Sequence, residues 1–172
     1  VSGDPHPESD DCGRIKGGRK MFGLFKKKKD KAHVLGAPAK GKVVSLKEVS
    51  DPTFSEGILG DGVAVTPSEG KIYAPADGTI GLTTDFGAEV LIHVGLDTVQ
   101  LKGEGFEGHV KAGDTVKKGD LLLTVDLEKV KAAGYDIITP MLICNTADYA
   151  AVTAQADKEV NAGDDVLTVE EK

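Results

Sequence analysis

A chain of 172 residues, 40% hydrophobic and 28% charged, has the size and composition of one soluble globular domain with spare residues at its ends. No tryptophan, 5% aromatic residues and a net charge of −7 exclude a stacking platform for single strands and a broad nucleic-acid surface. Cys12 and Cys144 lie far apart, and neither a Cys-x-x-Cys nor a His-x-His pair occurs. That excludes a structural zinc site and a zinc-peptidase reading, so no metal or cofactor is expected.

Residues 1–20 are polar, glycine- and proline-bearing and without apolar period; they read as a disordered leader upstream of Met21, the natural-looking start. His6 falls there and receives no function. Residues 21–33 read as a flexible tail. In it Met21-Phe22-Gly23-Leu24-Phe25 precedes Lys26-Lys27-Lys28-Lys29, an apolar tip with a basic run. Residues 21–29 suit weak contact with an anionic membrane surface at most. No signal peptide and no bilayer-length apolar run is visible, so the reading is cytoplasmic.

Residues 34–172 read as a single domain of short strands between turns. Strands are predicted at 42–46, 62–66 and 71–74, the last two flanking the turn signal Pro67-Ser68-Glu69-Gly70. Asp77-Gly78 marks a turn before Thr79-Ile80. Residues 90–94, Val-Leu-Ile-His-Val, form the most apolar strand, and its unbroken character predicts cover on both faces. Further strands are predicted at 121–125, 136–139, 141–143 and 166–169, with Cys144 as a reduced, buried thiol. Only residues 126–133, ended by Gly134, have the composition of a short helix. With 22 glycines, this pattern predicts an all-β fold, an antiparallel β-sandwich or barrel-like sandwich with short helical turns. Gly113-Asp114, Gly119-Asp120 and Gly163-Asp164 each precede branched residues, an internal echo consistent with duplicated β-hairpins.

His93 is the chemically informative residue. A histidine inside an apolar strand is either a packed imidazole bonded to backbone or an exposed nucleophile in a shallow apolar depression. A neutral imidazole keeps a nucleophilic nitrogen near neutral pH and needs no base to activate it. Its other nitrogen must be held as a donor, by a backbone carbonyl or by the side chain of Thr98. Gly95 has no side chain to block a partner's approach. Asp97 either orients a donor or caps a turn with Thr98, and capping is the favoured reading. Leu91 and Val94 flank His93 as docking surface or as core. Phe86, after Thr83, Thr84 and Asp85, is placed in the loop that shapes the site.

Ile92-His93-Val94-Gly95-Leu96-Asp97-Thr98-Val99, followed by Leu101-Lys102-Gly103-Glu104-Gly105-Phe106, resembles the active-site signature of the glucose-type enzyme IIA (EIIA) family of the bacterial sugar phosphotransferase system. Gly60-Asp61-Gly62-Val63-Ala64-Val65, Pro67-Ser68-Glu69-Gly70, Ala74-Pro75-Ala76-Asp77-Gly78 and Thr139-Pro140 resemble it too, so the likeness runs from about Gly36 to the C-terminus. The resemblance implies a β-sandwich of the duplicated hybrid motif type, a phosphocarrier and phosphotransferase working through a phosphohistidine. His93 would accept a phosphoryl group from HPr and pass it to the IIB domain of a sugar permease. Regulatory protein targets would bind the same face under control of phosphorylation.

One departure stands out. The family carries a second histidine on a stretch that here is missing between Ile80 and Gly81. His109 reads as a surface residue and His33 lies in the wrong context to replace it. Because that histidine stabilises charge during transfer, its loss predicts a His93 still phosphorylated but slow in onward transfer, or a transfer-impaired binding scaffold. The alternative reading is a biotinyl- or lipoyl-like carrier module, on the strength of the Gly-Asp turns at 113–120. It lacks the modified lysine tip, since residues 125–129 run Val-Asp-Leu-Glu-Lys.

Overall fold

A computed structural model describes residues 31–172, of which Ala32–Lys172 form one compact unit. The expectations for the leader 1–20 and for membrane contact by residues 21–29 lie outside the described residues. The domain opens two residues earlier than residue 34, because β1 (Ala32–Gly36) already pairs Ala32 with Glu170 and His33 with Val169.

The strands that follow are β2 (Gly41–Ser45), β3 (Asp61–Pro67), β4 (Lys71–Tyr73), β5 (Gly78–Thr79), β6 (Thr83–Thr84) and β7 (Val90–Ile92). After them come β8 (Phe106–Gly108), β9 (Thr115–Val116), β10 (Leu121–Val125), β11 (Thr139–Ile143), β12 (Tyr149–Ala154), β13 (Lys158–Val160) and β14 (Asp165–Glu171). The fold is all-β, with antiparallel pairing in four small sheets: β13-β2-β3-β11-β7, β1-β14-β12, β4-β10-β8 and β6-β5-β9. Inward-facing Leu35, Val43, Val63, Val65, Met141, Ile143, Leu167 and Val169 are fully buried and make the main core between them. β11 is buried along its whole length because both edges are paired and both faces covered. No helix among the described residues is long and apolar enough to cross a membrane.

The predicted helix forms at Leu127–Ala132. The Asp126 carboxylate accepts the Lys129 amide at 3.1 Å as its N-cap, and Gly134 leaves in the left-handed region at φ +87°. Residues 136–138 are not a strand. The Asp136 carboxylate accepts the Ile138 amide at 2.9 Å and its carbonyl accepts the Leu96 amide at 3.0 Å, so ladder pairing begins only at Thr139. Cys144 is exposed rather than buried: the chain leaves the sheet there, its amide donating to the Glu89 carbonyl at 2.8 Å. Partial desolvation and the Glu89 carboxylate push its thiol pKa up, which keeps it protonated.

The internal echo is a true duplication. Ala37-Pro38-Ala39-Lys40-Gly41 and Ala74-Pro75-Ala76-Asp77-Gly78 meet across an approximate dyad, Gly36 N–H donating to Pro75 O at 2.8 Å and Tyr73 N–H to Pro38 O at 2.7 Å. Ala37 exchanges backbone bonds with Gly163 and Asp164, as Ala74 does with Gly119 and Asp120. β1 on β14 and β4 on β10 share their register, with Gly36 opposite Asp165 and Tyr73 opposite Leu121, and both carry a bulge there. In each Gly-Asp turn the aspartate accepts the amide three residues back: Lys111 at 2.9 Å, Lys117 at 2.9 Å and Asn161 at 2.8 Å. The copies differ most in one hairpin. β2 and β3 are joined by residues 46–60, whereas β5 and β6 close through Ile80-Gly81-Leu82, where Gly81 (φ +120°) and Leu82 (φ +32°) take the turn. The place between Ile80 and Gly81 where the resemblance implies a missing stretch falls on this short hairpin.

Asp77 ties the duplicated segment to a Gly-Asp turn, its Oδ1 accepting the Lys118 amide at 2.8 Å with Lys117 Nζ 3.5 Å from Oδ2. The Lys118 hydrogen bond above all, helped by Lys117, holds the carboxyl below its ordinary range against slight desolvation. A depressed folded-state pKa contributes stability present above the unfolded value, about 4, and lost as pH falls through the folded one. Urea midpoints of the wild type should therefore fall on acidification below about pH 4 more steeply than those of Asp77→Asn, whose amide oxygen still accepts from Lys118. Identical acid limbs would show that Asp77 makes no such contribution.

Candidate active site around His93

β7 is an edge strand, paired only with β11, Leu91 opposite Leu142 and Ile92 opposite Met141. Both faces were expected to be covered, and each is covered in part: Val90 is buried, whereas half-buried Leu91 packs on one core cluster and half-buried Ile92 and Val94 on the other. The His93 amide donates to Pro140 O at 2.9 Å, which carries β11's register one residue beyond the strand.

The chain then turns sharply. Gly95 (φ +73°) and Asp97 (φ +59°) occupy the left-handed region before the 3-10 turn Thr98–Leu101. A Cβ on Gly95 would lie 2.5 Å from Thr98 Cγ2 and 2.8 Å from Asp136 O. Gly95 is itself buried, so its lack of a side chain serves the turn rather than the approach of a partner. Asp97 stands at the N-cap position, but its exposed side chain makes no cap hydrogen bond, contrary to the capping expectation.

His93 Nδ1 lies 2.6 Å from Gly95 O. A carbonyl only accepts, so Nδ1 carries the proton and Nε2 carries the lone pair. Of the two groups considered for this role, the backbone carbonyl performs it. The Thr98 hydroxyl is not the partner of the imidazole; buried, it donates to Val94 O at 2.6 Å and braces the turn that presents Gly95 O. The ring packs on Phe54, centroids 5.2 Å apart and planes tilted by 56°. His93 also lines a depression of about 340 Å³, together with Ile92, Val94, Thr98, Val99, Gly103, Phe106 and Leu123. His93 is the one titratable side chain among these lining residues.

The remaining expected site residues divide. Val94 lines the depression, whereas Leu91 packs into the cluster of Val44, Phe54, Leu96 and Leu142 and belongs to the core. Phe86 is absent from the lining. It stacks on His33, centroids 4.0 Å apart and planes within 1°, meets Tyr149 edge-on and accepts the Tyr149 hydroxyl on its carbonyl at 3.2 Å. His33 also meets Glu171 Oε1 through Nε2 at 2.8 Å. His109, exposed as expected, bonds Thr124 Oγ1 at 2.7 Å. Sequence reasoning gave no role to Phe54 and Leu123, which come from distant segments, and none of its own to Phe106 at the end of the motif. In the fold Val99, in the lining, is 75% exposed, and Ile58, four residues past Phe54, is 67% exposed.

Residues 33–149 match the sequence model described as phosphoenolpyruvate-dependent sugar phosphotransferase system, EIIA 1. The chain belongs to this EIIA family. It is 42% identical over 164 residues to the glucose-specific EIIA component of Halalkalibacterium halodurans, which covers 87% of this chain and 95% of the relative. It is 44% identical over 143 residues to the beta-glucoside-specific EIIBCA component of the same organism, covering 77% of this chain but only 22% of that longer protein. The chain thus spans about a fifth of the beta-glucoside relatives it matches, 22% of the Dickeya chrysanthemi one at 47% identity. Among solved structures, glucose permease IIA from Mycoplasma capricolum superposes with a TM-score of 0.74 at 34% identity, over 81% of this chain and 96% of that one.

Two substitutions separate the parts of the turn. Gly95→Ala should cost at least about 2 kcal/mol by strain and collision, read as a lowered urea midpoint, and disturb the His93 ring resonances. Thr98→Val should cost about 1 kcal/mol for the lost Val94 bond while leaving Nδ1 on Gly95 O. Loss of the Nδ1 proton signal in Thr98→Val would return the orienting role to Thr98.

Proposed function

We propose that this chain is a phosphocarrier of the phosphoenolpyruvate-dependent sugar phosphotransferase system, taking its phosphoryl group on Nε2 of His93. The observation that carries the reading is the Nδ1–Gly95 O bond, which leaves Nε2 as the lone-pair nitrogen beside an apolar depression. In the proposed step the Nε2 lone pair attacks the phosphorus of a phosphohistidine on HPr. An N–P bond forms on His93, the donor's N–P bond breaks, and the donor imidazole leaves with the electron pair. Positive charge that develops on the His93 ring is met by Gly95 O, already in place and needing no reorganisation. The apolar lining from Ile92, Val94, Val99, Phe106 and Leu123 would exclude water when a partner docks and so protect the labile bond.

The reverse half-reaction would deliver the group to the IIB domain of a sugar permease at the cytoplasmic face. The relatives' names include glucose, beta-glucoside and glucosamine systems, which supports a sugar of that kind. A dianionic phosphoryl group on this apolar face would also weaken any regulatory protein that docks there, through the cost of burying its charge. The biotinyl- or lipoyl-like alternative loses its support, since Lys129 lies within the helix Leu127–Ala132 and not at a hairpin tip.

Incubation with phosphoenolpyruvate, enzyme I and HPr should add one acid-labile phosphoryl mass to the wild type and none to His93→Ala. A folded wild type that gains nothing would overturn the carrier reading. With no second histidine in the lining, transfer onward to IIB should be slowed by about 100-fold or more relative to a version whose β5–β6 hairpin carries the inserted family segment. Equal rates would show that the short hairpin costs nothing.

A further inference from the structure

A second cavity, of about 370 Å³, has Phe54 in its lining and none of the residues that line His93's depression, and the phosphocarrier chemistry makes no use of it. Its floor is apolar: Leu46 and Phe54 are buried and Val152 half-buried, with Ala154 at the edge. The rest of its lining includes the polar residues Ser45, Lys47, Ser55, Glu56 and Asp61. Among the described residues none of Lys47 Nζ, Glu56 or the Asp61 carboxylate has an ion-pair partner.

We propose that this cavity binds an unphosphorylated monosaccharide and reports its occupancy to His93 through Phe54. A pyranose has an apolar C–H face and a ring of hydroxyls. The first fits Leu46, Phe54 and Val152, and the second suits two carboxylate acceptors with hydroxyl and ammonium donors set around them. The volume sits near the small end for ligand sites, which selects a single ring over an oligosaccharide. Charge selects the free sugar: one ammonium against two carboxylates leaves the lining net negative and repels a sugar phosphate. Phe54 links the cavity to His93, its ring 5.2 Å from the imidazole, and the residues that carry it, 46–60, form the long loop of the β2–β3 hairpin. A ligand that shifts Phe54 therefore alters the packing of the phosphoryl acceptor, which couples the two sites. The coupling rests on His93 as acceptor; the binding does not.

The test is a titration of the full chain with methyl β-D-glucopyranoside followed by amide and imidazole resonances. Saturable shifts at Phe54, Asp61 and Val152 in the millimolar range are expected, with glucose 6-phosphate at least about tenfold weaker. Asp61→Asn should weaken binding by about tenfold, its side chain being exposed and outside the core. The His93 ring signals should move with occupancy in the wild type and stay still in Phe54→Leu. Absence of saturable shifts, equal affinity for the sugar phosphate or an unaffected Asp61→Asn would overturn the site. Binding with unmoved His93 signals would overturn the coupling. Phosphorylation by HPr, measured separately by mass, reads the carrier function, so its failure is distinguishable from a failure here.

Discussion

The hydrogen bond between His93 Nδ1 and Gly95 O is the constraint on which the site depends. It makes Nδ1 the donor of the neutral ring and fixes the imidazole beside the depression, all from backbone geometry. The bond exists because the chain reverses within two residues of the imidazole. That reversal needs a glycine at φ +73° in a space where a Cβ would strike Thr98 and Asp136 O. Thr98 and Asp136 then hold the turn from either side, one through Val94 O and the other through the Leu96 amide. Residues that look like chemistry in the sequence are, in the fold, the scaffold of a carbonyl.

The scaffold is in turn a product of duplication. Two Ala-Pro-Ala segments cross at the approximate dyad, and Gly-Asp turns repeat the same backbone exchange around them. Each copy alone is a few short strands with too little surface to bury. Interleaved, they cover one another's apolar faces and leave β11 buried on both. β7 escapes part of that cover because it lies at the sheet edge, and the symmetry is broken at the β5–β6 hairpin, short where β2–β3 is long. The open face around His93 is the place where the repeated plan is incomplete.

Much of this was legible in the chain. The turn chemistry of Gly-Asp and Asp-Gly, the alternation of short branched runs and the capped helix at Leu127–Ala132 all follow from local backbone preference. The strands that went unread, such as β8, β12 and β13, contain glycine, alanine, lysine or glutamate, and take strand form only because a partner edge is waiting. Phe86 shows the same limit within the site. Its position shortly before β7 placed it in the loop that shapes the site, yet it stacks on His33, accepts the Tyr149 hydroxyl and stays out of the lining of the depression.

The sequence by itself determined the all-β class and the EIIA likeness and singled out His93, because these rest on local turn rules and on a contiguous motif from Ile92 to Phe106. Tertiary structure alone decided which group orients the imidazole, which apolar residues surround it and what Cys144 and Leu91 face. The physical reason is separation along the chain. Phe54 and Leu123 share no period or spacing with the motif that holds His93 and Phe106, and they reach it only because antiparallel pairing brings distant segments together.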